Sequence, residues 1–279
     1  MSQDDPAPGE GSAAQLSGEE KSHVSAKQPA RAAVLHEIIR VQGEAELSRS
    51  AAALAWSALA AGLSMGFSTL FRGVFQAQVP EGSAQHLLGS FGYSIGFLIV
   101  ILARQQLFTE NTVTAVLPFM TRPSPGNGLR LLRLWCIVLA GNLAGVLLFS
   151  YGLARLDLFP PAVADTFGSM GRELMSATPA EMFSRAIIAG WLIATMVWLL
   201  PAAPESKFWT ILLITSLIGL AGFPHIIVGA SEASYLVFQG QLSWHDFLCR
   251  FCGPVLAGNV AGGTFVFALV SHAQVASEA

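Results

Sequence analysis

A short apolar motif occurs twice in this chain, and both copies lie inside long apolar stretches. The first copy is Val138-Leu-Ala-Gly-Asn142-Leu-Ala-Gly145, and it returns as Val255-Leu-Ala-Gly-Asn259-Val-Ala-Gly262 in the second half. Repetition within apolar sequence is typical of membrane proteins built from two related halves. We therefore expect two similar halves around a shared centre, with Asn142 and Asn259 packing helices together at the repeat.

Composition and the length of the apolar stretches indicate an all-α integral membrane protein. Hydrophobic residues make up 53% of the chain and charged residues 12%, whereas an ordinary soluble domain is about a quarter charged. A membrane-spanning helix needs about 20 mostly apolar residues. The second and fifth candidates are too long for one plain helix. The candidate spans are 51–75, 86–119, 129–155, 180–200, 207–238 and 246–271.

The two long candidates carry polar interruptions at related positions. The shift that relates the two motifs also carries Phe108, in Leu107-Phe-Thr-Glu-Asn111, onto His225, in Phe223-Pro-His-Ile-Ile-Val-Gly229. Irregular backbone at membrane depth is tolerated only where protein or a wet cavity surrounds it, so both interruptions should face inward. Each half crosses the bilayer three times, which is an odd number, so the second half has the opposite orientation to the first. The prediction is a 3+3 inverted repeat with broken second and fifth helices that meet near the midplane.

Basic residues and local composition divide the chain outside the spans. Lys and Arg are concentrated before the first span and around the second connection, which places both termini in the cytoplasm by the positive-inside rule. The N-terminal segment is rich in Ser, Ala, Gly, Pro and acidic residues, which favours disorder. The predicted parts are a disordered tail (1–32), an amphipathic interfacial helix (33–50), a six-helix channel domain (51–271) and a C-terminal tail (272–279).

Enzymatic, metal and cofactor chemistry find little support in the sequence. Cys249 and Cys252 have CxxC spacing, but no second pair completes a zinc site, and Cys136 lies far away in sequence. There is no HExxH, no Ser/His pair and no clustered carboxylate dyad of the kind an intramembrane enzyme needs. We therefore expect no enzyme, no metal and no cofactor.

Several short motifs together resemble the formate/nitrite transporter family, which comprises bacterial inner-membrane channels for small monovalent anions. They are Gly89-Ser-Phe-Gly-Tyr-Ser-Ile-Gly96, the Leu107-Phe-Thr109 interruption, the two Gly-Asn-x-x-Gly segments and Gly222-Phe-x-His225. The resemblance covers roughly 33–271 and favours the branch with a Phe-Thr-Glu-Asn break. It implies an aquaporin-like six-helix protomer, a homopentamer in the inner membrane, and a small ion or weak acid or base as substrate, with no nucleic-acid partner.

The resemblance also implies which residues form the pore. The central histidine of the family matches His225, and the threonine that hydrogen-bonds it matches Thr109. The loop around Phe108 corresponds to the gating loop of the family. The apolar constrictions match Tyr93, Phe97, Leu107, Phe108, Val197 and Ile218.

A histidine at that position has a physical rationale. An anion that sheds water in an apolar constriction is costly to bury unless it is paired or neutralised, and an imidazole can share or donate the proton that converts formate into formic acid. The alternative is a structural histidine that satisfies free backbone groups at the broken helix.

The chain departs from the family where the anion is selected. Thr178 stands where the family commonly has a lysine, and Ala194 and Gly229 replace asparagines. Charged residues inside a membrane are functional candidates by default, which singles out Glu110, Glu232 and Arg104, with Asn111 beside them. One interpretation is an ion pair of Arg104 with Glu110 or Glu232. The other is that the two carboxylates make an electronegative vestibule.

Three functions follow from these observations. The leading prediction is a channel or transporter for a small monovalent weak-acid anion of the formate, nitrite or hydrosulfide type. The first alternative is an ammonium or ammonia channel, because the anion-selecting residues are altered and two carboxylates are added. The second is a closed structural or regulatory membrane subunit with Tyr93, Phe97 and Phe108 as plugs.

Overall fold

Residues 17–18 and 30–278 are described by the computed structural model of the protein. The described part is helical and contains no strand. Five of its helices, α2, α3, α5, α7 and α10, are long and apolar enough to cross a membrane. The helices are α1 (Ala32–Ser48), α2 (Ala51–Gln76), α3 (Ser83–Leu102), α4 (Val116–Thr121), α5 (Pro125–Arg155), α6 (Pro161–Met175), α7 (Pro179–Ala202), α8 (Lys207–Leu220), α9 (Ile226–Phe238) and α10 (Trp244–Ser277).

Helix starts follow the local capping chemistry of the sequence. Ser50 and Ser124 accept hydrogen bonds from backbone N–H groups in the first turns of α2 and α5. At the start of α7, the Thr178 hydroxyl accepts from the Glu181 N–H, and the Glu181 carboxylate accepts from the Thr178 N–H at 2.8 Å. This is a capping box. Thr178, at the position where the family commonly has lysine, therefore ends the preceding loop and starts a spanning helix.

The two long candidate spans each contain a helix end. α3 ends at Leu102, and irregular backbone then leads to a 3₁₀ turn at Glu110–Thr112 and to α4. α8 ends at Leu220, and the chain resumes helical structure only at Ile226. The candidate span 207–238 is thus made of two short helices.

Both of these helix ends close in the same way. Arg104 has a φ of 55° and Gly222 a φ of 63°, which is the left-handed region. The N–H groups of the next residues, Gln105 and Phe223, donate back to carbonyls in the last helical turn at 2.9 and 3.1 Å. This arrangement is a Schellman motif, which usually has glycine at the left-handed position. The first end uses an arginine there instead.

α10 is longer than the sixth predicted span and less regular. It contains two π-helical segments, Phe247–Cys252 and Ala261–Ala268, and helical structure continues as Leu269–Glu278. The segment 272–279, predicted to be a C-terminal tail, is therefore helical over the residues that the structure describes.

α1 leaves apolar residues uncovered and is tied to the rest of the protein by polar contacts. Val34, Ile38 and Val41 are exposed on one side of the helix, which suits the predicted position at the membrane surface. His36 Nε2 lies 3.0 Å from His272 Nδ1 of α10, and burial lowers the pKa of His36, with the charge of His272 lowering it further. The predicted disordered tail, 1–32, lies almost entirely outside the described residues.

Close helix contacts occur at equivalent points of the two motif copies. A Cβ on Gly62 of α2 would meet the backbone oxygen of Asn142 in α5, and a Cβ on Gly190 of α7 would meet the backbone oxygen of Asn259 in α10. Each pair of helices therefore packs backbone against backbone, which only small residues permit. The first contact brings α2 onto α5, and the second brings α7 onto α10.

A Gly190→Ala substitution tests this packing. The added side chain forces α7 away from α10, and overpacking of this kind costs about 1–3 kcal/mol. We expect a lower midpoint of thermal denaturation for the detergent-solubilised protein. Gly126→Ala is the matched control, because no atom lies within 4 Å of a Cβ at that position. Equal midpoints for the two variants would contradict the close contact.

Candidate functional site

Asn142 fixes the irregular segment that follows α3. Its Oδ1 accepts a hydrogen bond from the Phe108 N–H at 2.8 Å. Its Nδ2 donates to the carbonyl oxygens of Ala58 and Gln106, each at 2.8 Å. One buried side chain thus satisfies three backbone groups, two of which belong to the interrupted segment.

Asn259 does the same for the segment that follows α8. Its Oδ1 accepts from the Ile226 N–H at 2.8 Å, and its Nδ2 donates to the carbonyls of Ala186 at 2.9 Å and Pro224 at 3.1 Å. An unpaired backbone group in a buried site is expensive, so these bonds allow irregular backbone to persist. The predicted role of both asparagines, helix packing, is accompanied by a second one that the sequence analysis did not include.

His225 and Thr109 meet where the two interrupted segments come together. The Thr109 hydroxyl lies 2.7 Å from His225 Nε2, and both residues are 1% exposed. His225 is also the N-cap of α9, since its Nδ1 accepts from the Val228 N–H at 3.4 Å. The imidazole therefore bridges the first irregular segment and the start of α9.

The contacts of the imidazole assign its tautomer. A backbone N–H can only donate, so Nδ1 is an acceptor and carries no hydrogen. In the neutral ring the hydrogen then lies on Nε2, which donates to the Thr109 oxygen. Because the Thr109 oxygen is the acceptor in this bond, its own hydroxyl hydrogen points away from the imidazole. The pair thus presents one free hydrogen-bond donor.

The His225 ring has an aromatic neighbour, and all six predicted constriction residues are buried. Phe97 contacts it edge to face at 4.9 Å between ring centroids, and Tyr93 lies 5.5 Å from Phe97. Leu107, Phe108 and Ile218 are buried in the same hydrophobic core cluster as these rings. Of the six predicted constriction residues, Val197 differs, because it is buried in a separate cluster with Ile39 and Val113.

The ion pair expected for Arg104 with Glu110 or Glu232 does not form. Arg104 is exposed at the left-handed end of α3, and Glu232 pairs instead with Arg72 at 2.8 Å. Arg104 lies just after the last residue of α3, at the C-terminal end of that helix. Cations are favourable at that end of the helix dipole.

Glu110 and Asn111 take local positions in the first irregular segment. Glu110 is half-buried and forms no ion pair among the residues that the structure describes. The Asn111 amide donates to Gln106 Oε1 at 3.0 Å and to the Leu107 carbonyl at 3.2 Å. Asn111 therefore stabilises the segment that carries Thr109.

A cavity of about 440 Å³ extends from the protein surface to His225. We call it the α6 cavity, because Met170, Glu173 and Leu174 of that helix form part of its wall. The last residues of α8 and the irregular segment after it (219–224) form another part. Other polar and charged residues in the wall are Arg72, Ser83, His86, Tyr93, Arg185 and Glu232.

Sequence reasoning did not assign Arg72, Glu173 or Gln106 to the site. Arg72 gave a usable signal, because it lies inside the first apolar candidate span, where an unpaired charge is costly. Glu173 lies outside the candidate spans, and Gln106 is a neutral residue near an interruption. Glu173 and Gln106 come close to the other site residues only in the folded protein.

The whole helical part of the chain matches one known family. A sequence model described as formate/nitrite transporter matches residues 33–273. The chain belongs to the formate/nitrite transporter family. It is accordingly a membrane transporter or channel, and its α2, α3, α5, α7 and α10 helices supply apolar segments of spanning length.

Individual members of the formate/nitrite transporter family show different degrees of similarity. Inner membrane protein YfdC of Escherichia coli strain K12 is 52% identical over 250 residues, which covers 90% of this chain and 81% of that protein. A probable formate transporter of Methanothermobacter thermautotrophicus is 26% identical over 70% of this chain and 77% of that protein.

A solved structure gives the fold of this family member. A pentameric formate channel with formate bound aligns with a TM-score of 0.71 and 21% identity, covering 81% of this chain and 98% of that chain. The likeness in fold is therefore much greater than the likeness in sequence.

An Asn259→Asp substitution tests the bonds that fix the second irregular segment. The carboxylate cannot donate to the Ala186 and Pro224 carbonyls, and leaving buried polar groups unpaired costs about 1–3 kcal/mol. We expect a lower denaturation midpoint in detergent. Asn127→Asp is the control, because the Asn127 amide bonds an exposed carbonyl at the start of α5. Equal stability of the two variants would show that the bonds contribute nothing.

Reciprocal substitutions test the end of α3. Left-handed backbone costs a residue with a side chain about 1–2 kcal/mol, so Arg104→Gly should raise the denaturation midpoint. Gly222→Ala should lower it by a similar amount, since nothing lies within 4 Å of a Cβ there and only the backbone conformation resists. A midpoint that falls in Arg104→Gly would mean that the arginine side chain makes a stabilising contact.

Proposed function

We propose that this protein is an inner-membrane channel that passes a small monovalent weak-acid anion, of the formate, nitrite or hydrosulfide type, through a narrow apolar passage centred on His225. The observation that carries the proposal is the 2.7 Å contact between His225 and Thr109, made where two irregular segments meet at the end of a cavity open to the surface. Membership of the formate/nitrite transporter family, and the formate named for similar proteins, support this choice of substrate.

The chemistry of the passage follows from what surrounds the pair. An anion that reaches His225 leaves water for the proposed apolar passage, formed by Phe97, which contacts the imidazole, and Ile218, which lines the cavity with it, together with Leu107 and Phe108 just before Thr109. A bare charge is costly there. The free hydrogen of the Thr109 hydroxyl is a donor for the anion. The positive end of α9, which begins at His225, also favours negative charge at this point. A proton taken up from water on the entry side neutralises the anion for the crossing and leaves with it as the neutral acid, and His225 is the group suited to share that proton on the way.

The protomer is proposed to be a six-span, aquaporin-like 3+3 inverted repeat, with α3–α4 and α8–α9 as the broken second and fifth spans. The matching roles of Asn142 and Asn259, and the matching ends at Arg104 and Gly222, support related halves. By the basic residues near the ends of the spans, both termini lie in the cytoplasm and the α6 cavity opens to the periplasm. A homopentamer with one passage per subunit is proposed from the pentameric structural neighbour.

The alternative of an ammonium channel depends on unpaired carboxylates near the passage. Arg72 neutralises Glu232, so Glu110 is the remaining support for an electronegative vestibule. The alternative of a closed structural subunit depends on the buried Phe97 and Phe108 as plugs. A single flux experiment separates both from the main proposal.

The experiment measures uptake of formate, nitrite, hydrosulfide and ammonium into proteoliposomes. His225→Ala should lower anion flux at least about tenfold, because a positioned proton donor is removed, while assembly in detergent is retained. His245→Ala is the matched control, since that histidine is exposed at the start of α10. Glu110→Gln should leave anion flux intact.

Each competing function has its own result in this panel. Ammonium uptake that is lost in Glu110→Gln would favour the cation channel. Absence of every flux in the wild type would favour a closed subunit. Equal anion flux in His225→Ala and His245→Ala would remove the proton role of His225.

A further inference from the structure

Arg72 is a largely buried cation near the end of α2, and it lies close to two carboxylates, one buried and one exposed to solvent. Its Nη1 donates to Glu232 Oε1 at 2.8 Å, and the two side chains are only 12% and 4% exposed. Its Nη2 lies 3.6 Å from Glu173 Oε2, and that side chain is 59% exposed. The first contact is a buried, hydrogen-bonded ion pair. The second is longer than a hydrogen bond, and its acidic partner is largely in water.

This arrangement leaves hydrogen-bond donors on Arg72 unused. A guanidinium carries five N–H groups in a planar fork that fits a carboxylate with two parallel bonds. Glu232 takes one of them at close range. The carboxylate of Glu173 stands in front of Nη2 without bonding it, so another carboxylate can take that place at little cost. Exposed pairs of this kind contribute little stability.

Tyr93 supplies a second donor that the protein leaves unpaired. Its hydroxyl is buried and has no hydrogen-bond partner among the described residues, although the residue is only 4% exposed. A buried hydroxyl without a partner is unfavourable. Tyr93 lines the α6 cavity together with Arg72, Glu173 and Glu232. Its ring contacts Phe97, which in turn contacts His225. The orphaned hydroxyl therefore lies beside the route to the central histidine.

We propose that Arg72 and Tyr93 form a binding site in the α6 cavity for a small planar anion with two oxygen atoms, and that Glu173 occupies this site as an internal competitor until the anion displaces it. One anion oxygen accepts from the free N–H groups of Arg72, and the other accepts from the Tyr93 hydroxyl. Glu232 stays paired with Arg72 and keeps the guanidinium in place. The inference rests on the proposed function, which it extends to the step before His225.

Charge explains why the competitor helps selection. With Glu173 in place, Arg72 faces two carboxylates, and these also offset the charge of Arg185 in the cavity wall, so the cavity carries no excess positive charge that would trap any anion. When a monovalent anion replaces Glu173, the local charge is the same, and only the shape and hydrogen bonding of the ligand decide the exchange. A planar two-oxygen anion such as formate or nitrite matches the fork of donors, whereas spherical chloride does not.

Three single variants test the site. Tyr93→Phe removes only the unpaired hydroxyl and keeps the ring against Phe97. Glu173→Gln removes the competing charge. Asp165→Asn is the matched control, because Asp165 is an exposed acid on the same helix α6 that does not line the cavity, and the charge change is identical.

The readout is thermal stabilisation of the solubilised protein by sodium formate or sodium nitrite, with sodium chloride making up constant ionic strength. A ligand that binds the folded state raises the midpoint by an amount that grows with the logarithm of 1 + L/Kd, where L is the free ligand concentration. We expect the anion concentration that gives the same midpoint shift as in the wild type to be about two- to fivefold lower in Glu173→Gln and about two- to tenfold higher in Tyr93→Phe. Asp165→Asn should behave as the wild type.

Two results would overturn the site, and a separate one addresses the proposed function. Identical responses in Tyr93→Phe, Glu173→Gln and Asp165→Asn, or stabilisation by chloride equal to that by formate, exclude the proposed recognition. Anion-specific stabilisation with the expected order of variants, in a protein that passes no anion in proteoliposomes, would support the site and reject the channel. Anion flux without anion-specific stabilisation would support the channel and reject the site.

Discussion

Everything near His225 depends on the satisfaction of backbone groups in the irregular segments that follow α3 and α8 and turn into the protein. Helices meet their own hydrogen-bonding needs, but irregular segments do not, and lipid offers no partners. Asn142 and Asn259 supply the missing donors and acceptors, each with three bonds to backbone groups. Because each asparagine also ties its segment to a neighbouring helix, the positions of Thr109 and His225 are fixed relative to each other.

A second constraint is that charged side chains buried in the protein must be paired. The Arg72–Glu232 pair lies in the wall of a cavity that reaches His225, and each partner makes the burial of the other tolerable. The pair engages one Nη1 donor of Arg72, which lines the cavity, and places a carboxylate against its charge. A wall of this kind distinguishes ligands by hydrogen-bonding geometry more than by the sign of their charge. Thr178, where the resemblance led us to expect a lysine, caps α7 instead.

Individual residues show how far the sequence could be interpreted. The apolar stretches indicated a helical membrane protein, and the motifs around Thr109 and His225 indicated the formate/nitrite transporter family, which the comparisons confirm. Arg104 was misinterpreted because hydropathy cannot tell a charge inside a span from a charge at the end of a helix that stops early. The partner of Glu232, for which Arg104 was one of two interpretations, could not be identified, for a different reason. Arg72 and Glu232 are 160 positions apart, and no local pattern connects them.

The sequence by itself determined the membrane class, the family, the repeated Gly-Asn motif and the two points at which apolar helices are interrupted, because hydropathy, glycine and proline act over a few residues. Only the tertiary structure decided which side chains satisfy those interruptions, which histidine nitrogen faces Thr109, which arginine is buried and which tyrosine hydroxyl is left without a partner. These outcomes depend on helices that are far apart in sequence and meet at a few ångströms. Hydrogen bonds and ion pairs require that proximity, and spacing along the chain does not encode it.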